Sequence, residues 1–178
     1  MNAEVLITKI GPGYGKLLSE LGRQSFVESH GQSASAEVIE EYTVRNYTEQ
    51  VFEEMLSDPR NHIHLMTVND EPAGYSKISF DALHPLVRSA QAAKLDRLYL
   101  LNKFHDLKLG HRLLQFNIAY SQKFNQDSMW LFVWKGNERA VKFYLKAGFE
   151  VKGSHDFKLT ENHSNPNHLM VLDFNSRN

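Results

Sequence analysis

Leu95–Phe149, LDRLYLLNKFHDLKLGHRLLQFNIAYSQKFNQDSMWLFVWKGNERAVKFYLKAGF, decides the fold of this chain. Leu95–Leu101 is apolar enough for burial on both faces and predicts a strand. A short polar loop, Asn102–Lys108, leads to Gly110 and a helix. That helix sets Leu109, Leu113, Phe116, Tyr120 and Phe124 at steps of three and four on one face. After a turn at Asn125–Ser128, Met129–Trp134 is a second continuous apolar strand. Gly136 and Asn137 break it and start another helix, with Asn137 as N-cap and Gly148 as the terminating glycine. Strand, helix, strand, helix with short connections predicts two parallel, adjacent strands. The ligand-binding end of such a unit lies where strands finish and helices begin, here Lys103–Gly110 and Lys135–Asn137. Unpaired N–H groups and the positive end of a helix dipole favour an anion there, such as a phosphate.

Three phrases carry a family resemblance: LDRLYLL at Leu95–Leu101, HDLKLGHRLL at His105–Leu114 and NERAVKFYLKAGF at Asn137–Phe149. They resemble motifs A and B of the GNAT superfamily of acetyl-CoA-dependent N-acetyltransferases, and the last phrase is the most specific. The pyrophosphate loop departs from the family pattern of Arg or Gln, two variable residues, Gly, one variable residue, and Gly or Ala. This chain has His105, Lys108 and Gly110 at those places. Losing a glycine restricts φ and crowds the approach to phosphate, while Lys108 adds positive charge and Asp106 opposes it. The resemblance implies an α/β (α+β) fold with a mixed central sheet of about seven strands, flanked by helices and splayed between the fourth and fifth strands.

The rest of the chain frames this unit. Val5–Ile10 predicts an opening strand, ended by Gly11-Pro12-Gly13, a turn into a helix at Lys16–Phe26. This glycine-rich turn lacks the Lys-Ser/Thr ending of a phosphate loop. A polar loop at Ser25–Ser35 precedes helices at Ala36–Asn46 and Thr48–Ser57, the latter capped by Thr48. His62–Val68 and Ala73–Phe80 form an antiparallel hairpin around Asn69-Asp70-Glu71-Pro72. His62 and His64 share a strand face and read as a solvent-facing pair. Asp81–Ala92 is a connection. Glu150–Leu159 and His168–Phe174 are the last strands, joined by a polar hairpin loop in which His163 is a structural residue, as are His155 and His168 beside it. The reading is one domain over 1–178 with no metal.

At 178 residues with 42% hydrophobic and 23% charged residues, the chain has ordinary globular composition. A net charge of -1 gives no sign of a nucleic-acid or polybasic membrane partner. The absence of cysteine excludes disulfides and thiolate chemistry. With no apolar run of about 20 residues and no basic-then-apolar start, the expected location is cytoplasmic. The sequence sets no oligomeric state, and a homodimer is compatible with it.

Acetyl transfer from a thioester to an amine requires that the cofactor be held, the carbonyl polarised, the amine deprotonated and the thiolate protonated. The resemblance implies acetyl-CoA as co-substrate, its pantetheine arm paired with Leu98, Tyr99 and Leu100 in the manner of an added strand. It places the diphosphate on His105, Asp106, Leu107, Lys108, Leu109, Gly110 and His111, with Asn137, Tyr144 and Lys146 on the following helix. Tyr144 is the family's usual general acid, seven residues from Asn137 and on the same helix face. Asp96 alternates with Leu98 and Leu100, opposite Arg97 and Tyr99. It is a candidate base or the partner in an ion pair with a nearby Arg. Glu28, at the loop after the first helix, is the second candidate base.

S-F-V-E-S-H, E-E-Y and F-E-E-M-L-S-D-P further resemble the PaiA-type branch, which acetylates spermidine and spermine. Glu28, Glu37, Glu40, Glu41, Glu49, Glu53 and Glu54 would suit such a polycation or simply cover exposed helix faces. The expected partner is therefore a small-molecule amine. A protein or peptide amine, or a non-catalytic acyl-CoA-binding module, are the alternatives.

Overall fold

Asn69 and Asp70, with φ of 48° and 65°, form the tight turn that folds β2 (Asn61–Val68) antiparallel onto β3 (Glu71–Ser79). The computed structural model describes residues 3–177. β1 (Val5–Ile10) pairs with β2, and β3 pairs with β4 (Ala92–Leu100). β5 (Ser128–Trp134) lies parallel to β4 and is followed in space by β7 (His163–Asp173) and β6 (Glu150–Thr160). The sheet order is β1-β2-β3-β4-β5-β7-β6, seven strands with one parallel pair at the centre. This is the mixed α/β architecture expected, with the parallel neighbours where the strand–helix–strand pattern put them.

Helices cover both faces. α1 (Gly15–His30), α2 (Ala36–Asn46) and α3 (Glu49–Ser57) intervene between β1 and β2. α4 (Leu109–Lys123) links β4 to β5, and α5 (Glu138–Lys146) follows β5. The expected caps form: Thr48 and Asn137 accept from the Val51 and Ala140 N–H groups at 3.2 and 3.1 Å. One core joins Leu18, Phe26, Phe52 and Tyr75, and another joins Leu95, Leu114, Met129, Leu131 and Phe149.

Five expectations need correction. α1 does not end at Phe26 but runs to His30, so Glu28 is helical and not in a loop. Its serines satisfy themselves on the helix: Ser25 donates to Gly22 O, and Ser29 to Ser25 O at 2.8 Å. Polar residues therefore do not stop it. The buried face of α4 starts on the expected stripe at Leu109 and Leu113 and then rotates from it: Leu114, Asn117, Ile118 and Ser121 are buried, while Phe124 is exposed. Asn117 turns inward because Ser76 donates to its Oδ1 (3.0 Å) and its Nδ2 donates to Leu113 O (2.8 Å). His62 is half-buried against Phe80, Tyr120 and Phe124, and His64 does not face solvent. His64 is fully buried, its ring edge-on to Phe116 and Tyr120 and both nitrogens without a partner. Burial, with His62 and Lys9 nearby, lowers its pKa to about 4, so it is neutral. The segment after β4 is a 3-10 helix, Asn102–Leu107, instead of a plain loop. Finally, β7 begins at His163, so most of the expected polar hairpin loop is strand. Asn165 and Asn167 read as loop residues but are buried on the sheet.

The glycine-rich turn before α1 binds an anion of its own. The Glu53 carboxylate accepts from Gly13 N–H at 3.0 Å and Gly15 N–H at 2.6 Å, joining α3 to the α1 N-terminus. A Cβ at Gly15 would lie 2.6 Å from that carboxylate. Glu53→Ala should therefore cost about 1–2 kcal/mol and lower Tm by roughly 2–8 °C in thermal unfolding.

Candidate active site

β4 and β5 pair only at Ala92–Ser128, Ala93–Met129 and Lys94–Trp130. Beyond that the strands part, although β4 remains paired with β3 as far as Leu100 and β5 with β7 as far as Trp134. The parting coincides with a bulge: Lys77 faces Arg97 and Ile78 faces Leu95, so Asp96 is an extra residue on β4. Leu101 N–H donates to Ala73 O at 2.9 Å. By alternation Tyr99 also turns its main chain to β3, and Leu98 and Leu100 turn theirs to the gap. A cleft of about 1010 Å³ opens there.

The bulge corrects the expected facing of Asp96. Asp96 accepts from Lys77 Nζ and Ser79 Oγ, both at 3.0 Å, and pairs with Lys94 Nζ at 2.7 Å. Lys77 and Ser79 alternate with Tyr75, whose hydroxyl accepts from Arg97. Asp96 thus shares the face of Arg97 and Tyr99 and not that of Leu98. Its ion pairs are with lysines, not an arginine. Burial alone would push its carboxyl up, but Lys77 and Lys94 outweigh that and hold it below the ordinary carboxylate value.

At the mouth, Lys108 precedes α4 with φ 57°, and no side chain among the described residues caps the helix. The first N–H groups of α4, at Leu109, Gly110 and His111, are left for an anion. Lys108 stands where the family pattern has glycine, and its left-handed backbone gives the reason for glycine there. His105, Lys108, Gly110 and His111 line the cleft. Leu107 and Leu109 do not: the first is 56% exposed on the far side, and the second is core. The Asp106 side chain lies outside the described residues. His105 Nδ1 accepts from Arg139 Nη1 at 2.7 Å, so its Nε2 carries the proton and donates to Leu100 O at 2.9 Å. This neutral imidazole ties the ends of β4 and α5 together.

From α5, Asn137, Tyr144 and Lys146 line the same cleft. The Tyr144 ring packs edge-on to Phe149 (5.4 Å), and its hydroxyl has no hydrogen-bond partner among the described residues. Burial pushes that phenol well above its ordinary pKa, so it stays protonated. Glu28 reaches the opposite rim, accepting from Asn102 N–H at 2.7 Å and from Gln24 at 2.9 Å.

The far wall holds residues the sequence reading did not single out: Arg97, His30, Tyr42, Trp134, Asn165 and Asn167. His30 stacks on Phe26 at 4.7 Å and approaches Tyr99 and Trp134. Burial lowers its pKa to about 4, despite an opposing hydrogen bond that the ring donates to the Phe26 carbonyl. The S-F-V-E-S-H phrase pointed to this segment, but helical spacing from Phe26 to His30 was the signal that brings the ring to the cleft.

Residues 24–149 match the acetyltransferase (GNAT) family. An uncharacterised N-acetyltransferase of Mycobacterium bovis is 27% identical over 88% of this chain and 95% of its own length. One from Lactobacillus delbrueckii subsp. lactis is 25% identical over 78% and 80%. The PaiA N-acetyltransferase of Thermoplasma acidophilum, solved with coenzyme A, superposes with TM-score 0.76 at 20% identity, covering 96% of this chain and 99% of that one. The ribosomal-protein-S18-alanine N-acetyltransferase of Escherichia coli superposes at 0.70 with 15% identity, over 96% and 94%. These two likenesses speak to the fold. Lys108→Gly should relieve about 1 kcal/mol of left-handed strain and raise Tm of the free protein by about 2–4 °C.

Proposed function

Because the chain belongs to the acetyltransferase (GNAT) family, we propose that it transfers acetyl from acetyl-CoA to a small primary amine by direct attack in a ternary complex. The observation that carries this is the strand pairing that stops after Lys94 and Trp130. Leu98 offers its main-chain groups to the amides of a pantetheine arm, as a sheet edge does to an added strand, and Leu100, whose carbonyl is held by His105, offers its N–H at the thioester end. The free N–H groups at the start of α4, with Lys108 and His111, suit the diphosphate. The fit is good at both ends. Bound acetyl-CoA would supply the thioester carbonyl and the thiol leaving group.

Leu100 N–H is the candidate donor to the developing oxyanion, worth on the order of 3 kcal/mol. As the C–N bond forms and the C–S bond breaks, Tyr144 gives its proton to the departing sulfur. The amine proton goes to water. Asp96 is held below its ordinary pKa by two lysines, and Glu28 already accepts two hydrogen bonds. His30, with a pKa of about 4, binds a proton only weakly. None of these three groups is therefore assigned the amine proton, and the free-amine fraction sets the rate.

A polyamine is the narrower reading of the acceptor, and the acidic residues of α1–α3 support it little. Glu40 pairs with Arg23, Glu41 with Arg45, Glu53 holds the turn before α1, and Glu54 accepts from Gln50. Of the acidic residues on these helices, only Glu28 lines the cleft among the described residues.

Acetyl-CoA should raise Tm, and Lys108→Glu should remove most of that shift; no shift at millimolar acetyl-CoA contradicts the assignment. Tyr144→Phe should lower thiol release by about 100-fold with little change in acetyl-CoA affinity. With a fixed amine, kcat/KM should rise about tenfold per pH unit from pH 6 to 9, with no descending limb below about pH 10, because a raised Tyr144 pKa keeps the acid protonated. A plateau near neutral pH would identify an enzymic base.

A further inference from the structure

We propose that the acceptor amine carries a carboxylate and that Arg97 is the residue that receives it. This rests on the amine-acetylation reading above and narrows its substrate class. Arg97 lies on β4 one residue past the bulge and lines the cleft. Its guanidinium has five donors, of which Nη1 is used, donating to Tyr75 Oη at 3.2 Å. The rest of the head makes no hydrogen bond to any described residue. It lies over the rings of Tyr47 (5.2 Å) and Phe52 (5.1 Å).

No carboxylate lies within 4.0 Å of Arg97 among the described residues. Asp96, its neighbour in sequence, is already shared by Lys77 and Lys94. Glu28 holds the Asn102 N–H at the rim. This wall of the cleft therefore presents three cations against one committed carboxylate. A cation drawn part-way out of water without a counter-ion is costly, and two aromatic faces offset only part of that. A planar monoanion is the natural complement, since a guanidinium pairs with a carboxylate through parallel N–H donors.

A second observation points the same way. Asn167 lines the cleft, and its buried Oδ1 has no hydrogen-bond donor among the described residues. It supplies an acceptor for an amine N–H. The same cleft is lined by the aromatic rings of Phe26, Tyr42, Trp134 and Phe157. Carboxylate, amine and apolar body together describe an amino acid with an aromatic or large aliphatic side chain.

The test is thiol release from acetyl-CoA with acceptor pairs that differ only in the carboxylate: phenylalanine against phenethylamine, tyrosine against tyramine, leucine against isoamylamine. The wild-type protein should favour the amino acid of at least one pair by about 100-fold in kcat/KM at a pH that gives equal free-amine fractions. Arg97→Met should shrink that ratio to within about threefold, and Arg97→Lys should restore part of it. Retention of the acetyl-CoA thermal shift by both variants shows that they are folded. Decarboxylated amines acetylated as well as their amino acids overturn this proposal and leave the transfer reading intact. A ratio unchanged in Arg97→Met overturns it as well. No thiol release with either member of any pair overturns this proposal as well, while the transfer reading stands or falls separately on the acetyl-CoA thermal shift.

Discussion

The parting of β4 from β5 is the constraint on which the remaining structure depends. Each strand is paired on its outer side along the gap, β4 with β3 and β5 with β7, so neither is free to close the gap by shifting register. The extra residue at Asp96 adds local twist just after the last parallel pair. Lys77 and Ser79 of β3, with Lys94 of β4, hold that residue's carboxylate and so pin the bulge. The Asp96 carboxylate is thereby committed to the shape of the strand. What its ion pairs maintain is an open sheet edge in the middle of a protein, which sheets elsewhere cover or pair.

The two sides of the gap differ in chemistry, and the difference follows from which helices face them. On the α4 and α5 side, two helix N-termini converge with Lys108, His111 and a neutral His105 bridging Arg139 to the Leu100 carbonyl. That side suits a phosphorylated nucleotide tail. On the α1 and α2 side, aromatic rings enclose Arg97, a neutral His30 and two buried asparagines. Tyr144 lines the cleft from α5 with its phenol protonated. The division lets one ligand be held by main chain and helix ends while side chains choose the other.

The central unit was legible because its signals are local. Continuous apolar runs marked β4 and β5, Asn137 and Gly148 bracketed α5, and short connections forced parallel neighbours. What could not be read came from side chains finding distant or backbone partners. Ser25 and Ser29 look like loop residues but bond back to their own helix. Asn165 donates to Ser33 Oγ across 132 residues at 2.8 Å, which makes a polar stretch a buried strand. The bulge at Asp96 leaves no mark in a period-two pattern, yet it reverses which face that carboxylate occupies. Arg97 and His30 were missed for the same reason, since neither position declares what it faces until the bulge and the longer α1 are known.

The most direct measurement is amide hydrogen exchange at single residues of β4, followed by NMR with and without saturating acetyl-CoA. The account predicts that the Leu98 and Leu100 amides exchange readily in the free protein and slow by about tenfold or more on saturation, while the Tyr99 amide, bonded to β3, is slow in both states. Leu98 and Leu100 amides already protected in the free protein, or unaltered by saturating acetyl-CoA, would contradict it.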